Sequence, residues 1–67
     1  MMVKLQSKLI ESVVYDAESQ DLRIHMCNGQ IREFSSVPTS VFENLVRARS
    51  AGRFYMDNIR GQYLSAD

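Results

Sequence analysis

Asp21-Leu22-Arg23-Ile24-His25-Met26-Cys27-Asn28-Gly29-Gln30-Ile31-Arg32-Glu33-Phe34 is the stretch on which the fold turns. Up to Cys27 it alternates, with Leu22, Ile24 and Met26 on one side and Arg23, His25 and Cys27 on the other, which is the period of a half-buried strand. Asn28-Gly29 is the strongest hairpin signal in the chain, because a type I′ turn needs positive φ at both central residues and these two tolerate it best. A further strand is expected over 31–35.

On the N-terminal side, Leu9, Glu11, Val13 and Tyr15 alternate with Ile10, Ser12, Val14 and Asp16, a β-branched stretch that reads as a strand apolar on much of both faces. Residues 17–20 connect it to the next strand. Residues 1–8 show polar spacing without a clear period and read as a flexible lead-in. On the C-terminal side, Val37-Pro38 opens a helix, since proline fits a first turn where its missing N–H has no partner to lose. Val41, Phe42, Leu45 and Ala48 recur at helical spacing, and Glu43 stands one turn before Arg47, where an i,i+4 ion pair can form. Ser50-Ala51-Gly52 breaks the helix, with Gly52 free to take the left-handed conformation. A second, shorter helix follows over 53–60, carrying Phe54, Met56 and Ile59, and Tyr63 and Leu64 close the core. The expected fold is α+β: a three-stranded antiparallel sheet of two hairpins, then a helix and a second short C-terminal helix packed on one face. One domain spans 9–64, with a tail at 65–67.

A chain of 67 residues buries only about 60% of its unfolded surface, so every element must share one modest core. Self-association often supplements so small a core, and no disulfide can, because Cys27 is the only cysteine. A lone thiol, no signal peptide and no apolar run of membrane-spanning length point to a reducing cytoplasm. Net charge is zero, yet the charges are segregated. Glu11, Asp16, Glu18 and Asp21 follow one another without a basic residue between them, whereas Arg47, Arg49, Arg53 and Arg60 are opposed by Asp57 alone. Such a split can give a neutral protein a positive surface, although a solvated helix face accounts for it too.

Ser12, Tyr15-Asp16, Leu22-x-Ile24-x-Met26, Asn28-Gly29, Val37-Pro38, Ala48-x-Ser50-x-Gly52-x-Phe54 and Ile59-Arg60 together resemble, in order and spacing, the KTSC domain. That family takes its name from the C-terminal extension of some lysyl-tRNA synthetases and includes short free-standing bacterial proteins. The likeness runs from about Leu9 to Tyr63, and its specificity lies in the joint spacing, each short motif being weak alone. It implies a compact module of about this length, with RNA binding suggested by the synthetase fusion. The chain departs from the family's Tyr-x-Tyr in the third strand, reading Arg32-Glu33-Phe34 there.

Two hairpin registers are open. A two-residue turn sets Met26 against Ile31, His25 against Arg32 and Arg23 against Phe34. With Tyr15 opposite Leu22, Val13, Tyr15, Leu22, Ile24, Met26 and Ile31 then face the helix, while Val14, Arg23, His25, Arg32 and Phe34 form a basic, aromatic outer face. It also puts Glu33 on the core side. A three-residue turn with a bulge sends Arg32 and Phe34 inward instead. The Asn-Gly signal favours the first.

Catalysis is not expected: His25 and Cys27 point the same way on one strand, but an open sheet offers a dyad no pocket and no orienting group. One His and one Cys also fall short of a zinc ligand set, and the acids lack calcium-loop spacing. No cofactor is implied. Met26 and Met56 read as core filler. The expected activity is non-catalytic binding of RNA or another phosphate-bearing ligand. Arg23, His25, Arg32 and Phe34 would form the sheet platform, and Arg49, Arg53, Tyr55 and Arg60 a neighbouring basic edge. The alternatives are a homo-oligomerising or protein-interaction domain, and a capture protein for a small nucleotide in a phage or bacterial accessory system. Whichever holds, Cys27→Ser is expected to leave folding and binding intact; loss of binding by a folded variant would give the thiol a role.

Overall fold

The computed structural model describes residues 1–64; the tail expected over 65–67 lies outside the described residues. Four strands form one antiparallel meander in the order β1 (Met2–Lys4), β2 (Ile10–Asp16), β3 (Asp21–Met26) and β4 (Ile31–Phe34). Two helices follow, α1 (Thr39–Arg47) and α2 (Ala51–Asn58). The α+β class and the two helices agree with the sequence, but the sheet has four strands rather than three. The additional one comes from the segment expected to be a flexible lead-in. Val3 pairs with Val13, and the ladder continues as Leu5 N–H donates to the Glu11 carbonyl at 3.0 Å.

Both helices lie on one face of the sheet, so every buried side chain must project to that face. Val13, Tyr15, Leu22, Ile24 and Met26 do so, meeting Phe42 and Leu45 of α1 and Tyr55 of α2 in a single cluster. Tyr15 pairs with Leu22, as expected. Ile10 is also fully buried although strict alternation would turn it outward. A register shift between Ile10 and Ser12 resolves this, because the additional residue, Glu11, lets both Ile10 and Val13 face the core.

The β3–β4 turn adopts the bulged register, not the two-residue one. Gly29 N–H donates to the Met26 carbonyl at 3.0 Å and Met26 N–H to the Gln30 carbonyl at 2.8 Å. Gly29 has φ 92° while Asn28 is not left-handed. This is a type I turn followed by a left-handed glycine, with Asn28 Oδ1 accepting from Gln30 N–H at 3.0 Å, rather than a type I′ turn. Consequently Phe34 pairs with Leu22, Arg32 with Ile24 and Ile31 with His25. Phe34 enters the core, Ile31 turns outward and is 48% exposed, and Glu33 moves to the outer face. The physical reason is burial: the observed register buries the ring of Phe34 and frees the Glu33 carboxylate, which the other would have set against Ile24.

Tyr15 ties the helical layer to the sheet. Its hydroxyl donates to the Val37 carbonyl, and its ring stacks on Phe42 with centroids 4.6 Å apart. Ser50, not Gly52, governs the helix break. Its hydroxyl accepts from Arg53 N–H at 3.2 Å and caps α2, whose first turn includes Ala51 and Gly52. Gly52 is helical, and its missing side chain serves close packing: a Cβ there would stand 3.1 Å from Leu9 Cβ. Two side chains expected in the core are on the surface, Met56 (46% exposed) and Leu64 (78%). Tyr63 does pack against the core. Glu43 and Arg47 form no ion pair, those among the described residues being Arg23–Glu33 and Arg53–Asp57.

Denaturant unfolding is expected to show Phe34→Ala costing about 3–5 kcal/mol, comparable with the roughly 2–5 kcal/mol of Leu45→Ala. Gly29→Val should cost about 1 kcal/mol or more, because a β-branched residue is forced to positive φ. A mild Phe34→Ala beside a severe Leu45→Ala would contradict this register.

Candidate ligand-binding surface

The eight residues singled out for binding separate into three groups. Arg23 and His25 remain on the outer face of the sheet, but Arg23 is committed to Glu33 at 2.7 Å. Phe34 and Tyr55 are buried, packed edge to face with centroids 6.1 Å apart. No aromatic platform therefore forms on the sheet, and Tyr55 is not part of a surface edge. Arg32, Arg49, Arg53 and Arg60 are exposed, and the fold brings them to one side of the molecule.

Two neighbouring grooves define that side. The first, about 570 Å³, lies between β4 and α2. Phe34, Tyr55 and Met26 form its floor, and Arg32, Arg60, Asn28 and Gln30 are at its rim. Arg32 reaches this rim because the bulged turn sends position 32 to the helix side, near the open end of β4, where its guanidinium donates to Gln30 Oε1 at 3.2 Å. That explains how a charged residue occupies a position the family usually fills with tyrosine: the side chain follows the core face but ends in solvent.

The second groove, about 620 Å³, lies between the 6–9 loop and the start of α2, with Lys8, Arg49 and Arg53 around it. The loop is held in place from several directions. Ser7 Oγ accepts from the N–H groups of Leu9 and Ile10 at 3.1 and 3.2 Å, Cys27 N–H donates to the Leu9 carbonyl at 2.9 Å, and Gly52 admits Leu9 against the helix.

Leu9 and Met56 line both grooves, so the two are halves of one surface with a partly exposed apolar crest between basic flanks. Five of the eight basic residues gather here, and Asp57, paired with Arg53 at 3.4 Å, is the one acid among the described residues. Concentrating cations beside apolar walls raises the local potential well above what a net charge of zero suggests. Lys8, Leu9, Met56 and the amides of Asn28 and Gln30 were not singled out in the sequence. Lys8 lay in the supposed lead-in, and Met56 carried the period of a core residue.

A single sheet covered on one face by two helices, with no buried side-chain polar atom lacking a partner among the described residues, defines a small α+β domain built around one core. The chain belongs to the KTSC domain family, whose model matches residues 6–63. The crystal structure of a KTSC domain protein from Yersinia pestis superposes with a TM-score of 0.92 at 28% identity, covering 97% of this chain and 92% of that one. An uncharacterised protein of Stutzerimonas stutzeri is 33% identical over 61 residues, 91% of this chain and 86% of its own length. A lysine–tRNA ligase of Nostoc punctiforme is 31% identical over 62 residues, which is 92% of this chain and 11% of the ligase. No helix among the described residues is long and apolar enough to cross a membrane.

The exposed Arg23–Glu33 pair has side chains 54% and 37% accessible, so screening leaves it worth about 1 kcal/mol or less. Arg23→Ala should shift thermal unfolding only slightly, and a loss as large as that of a core truncation would reveal a second role for this pair.

Proposed function

We propose that this protein is a non-catalytic module that binds RNA or another phosphate-bearing ligand through the basic surface around α2. The observation that carries this reading is the gathering of Lys8, Arg32, Arg49, Arg53 and Arg60 around two grooves that contain a single carboxylate among the described residues. Arginine guanidinium groups suit phosphate oxygens because several N–H donors lie in one plane. The sequence likeness to lysine–tRNA ligases of two Nostoc strains adds an association with proteins that handle tRNA. In this proposal the protein works in the cytoplasm, where the Cys27 thiol stays reduced.

With Phe34 and Tyr55 buried, the mode of contact differs from a stacking platform. The cations meet phosphates, the crest of Leu9 and Met56 touches sugar or base surface, and base identity matters little. Affinity then derives mainly from counterion release and falls steeply with salt.

Fluorescence titrations of single-stranded RNA at several salt concentrations test this. Expected is a linear fall of log affinity with log salt, with similar values for adenine-rich and uracil-rich strands. Arg32→Ala and Arg60→Ala should each reduce the slope by about 0.7, the value of one phosphate contact on a single strand. Arg23→Ala and His25→Ala, on the opposite face, should leave it unchanged. Salt-independent binding, no binding, or loss confined to the outer-face variants would refute the proposal. Tight binding of a mononucleotide in place of the strand would favour the capture reading.

A further inference from the structure

The segregation of charge seen in the sequence becomes an axis of the molecule. At the β2–β3 end of the sheet, Asp16 and Asp21 are direct cross-strand partners and Glu18 stands in the turn between them. Like charges opposed in this way repel. Among the described residues, none of the three carboxylates has a basic side chain within ion-pair distance. Beside this end opens a groove of about 710 Å³, floored by the Tyr15–Phe42 stack and Val46, and rimmed by Asp16, Glu18 and Glu43. Arg47 and the Met1 ammonium, which donates to the Tyr15 carbonyl at 2.9 Å, lie on its margin. The opposite end of the strands carries the 6–9 loop and the 27–30 turn, and with them the basic flanks and the exposed crest of Leu9 and Met56.

We infer that copies of this chain associate head to tail, the Leu9–Met56 crest of one copy entering the acid-rimmed groove of the next. The two surfaces match in both respects that matter. An apolar crest meets an apolar floor, and the cations beside the crest meet carboxylates that form no ion pair among the described residues. Because the groove and the crest are different patches, the contact is heterologous, and an open assembly keeps one groove and one crest free at its ends until a ring closes. The inference does not depend on RNA being the ligand, but it uses the same basic surface, so a polyanion and a neighbouring copy compete for it.

Sedimentation of the protein alone tests this. At low salt the average mass should rise with concentration. It should return to that of the monomer near about 1 M salt, where screening acts within roughly 3 Å. A groove variant, Glu18→Lys with Glu43→Lys, and a crest variant, Met56→Ser with Arg60→Gln, should each be monomeric. Mixed in equal amounts they should form a one-to-one dimer of twice the monomer mass, because the intact crest of the first still fits the intact groove of the second. A face-to-face dimer of like surfaces would gain nothing from mixing. A parent protein that stays monomeric at low salt, or variants that stay monomeric when mixed, would overturn the inference. If circular dichroism shows either variant unfolded, the single substitutions Glu43→Gln and Met56→Ser take their places, with the same outcomes expected. Since no nucleic acid is present, failure of RNA binding leaves this result untouched.

Discussion

The helices cover one side of the sheet only, and the two phase shifts in its strands answer to that constraint. A chain this short cannot build a further layer over the other face, so apolar side chains that would fall on that open face must be brought round to the covered one. Glu11 is the additional residue that turns Ile10 inward beside Val13. The three-residue turn at 27–29 does the same for Phe34, at the expense of Ile31. Tyr15 completes the arrangement from below α1, its ring stacked on Phe42 and its hydroxyl satisfying the Val37 carbonyl within the core. Two phase shifts and one buried hydrogen bond thus turn imperfectly alternating strands into a one-sided core.

Much of this was legible in the sequence. The alternation of Leu22, Ile24 and Met26 placed β3, the helical spacing of Phe42 and Leu45 placed α1, and the joint spacing of short motifs indicated the family. Other features were hidden for identifiable reasons. Asn-Gly fits a type I′ turn and equally a type I turn closed by a left-handed glycine, so the dipeptide located the hairpin without fixing which face Phe34 takes. Val3 and Leu5 do alternate with Met2 and Lys4, but three residues of strand are too few to stand out against a polar background. Gly52 resembled a helix terminator because a glycine needed for close packing and one needed for positive φ look identical in a sequence.

The same constraint shaped the candidate surface. Had Arg32 and Phe34 faced outward together, charge and ring would have made one platform. Instead the register buries the ring and carries the guanidinium to the helix side, where Arg60 already stands. The charge asymmetry survives the change, because it follows from where the strands begin and end. Acids cluster at the β2–β3 turn, and bases at the loops on the far side and along α2. What the sequence concealed was the 6–9 loop folded against α2, because Lys8 lay in the segment expected to be a lead-in.

The meander order has a consequence for how the domain comes into being. Each strand pairs only with its neighbours along the chain, so every ladder closes a short loop and little entropy is spent before contacts form. Proteins dominated by such local pairings tend to fold quickly for their stability. Hairpins can assemble as soon as their residues leave the ribosome, with α1 and α2 docking afterwards. A unit that forms in this sequential way needs no template from a larger host, so it can be attached to another protein without entangling that protein's own folding.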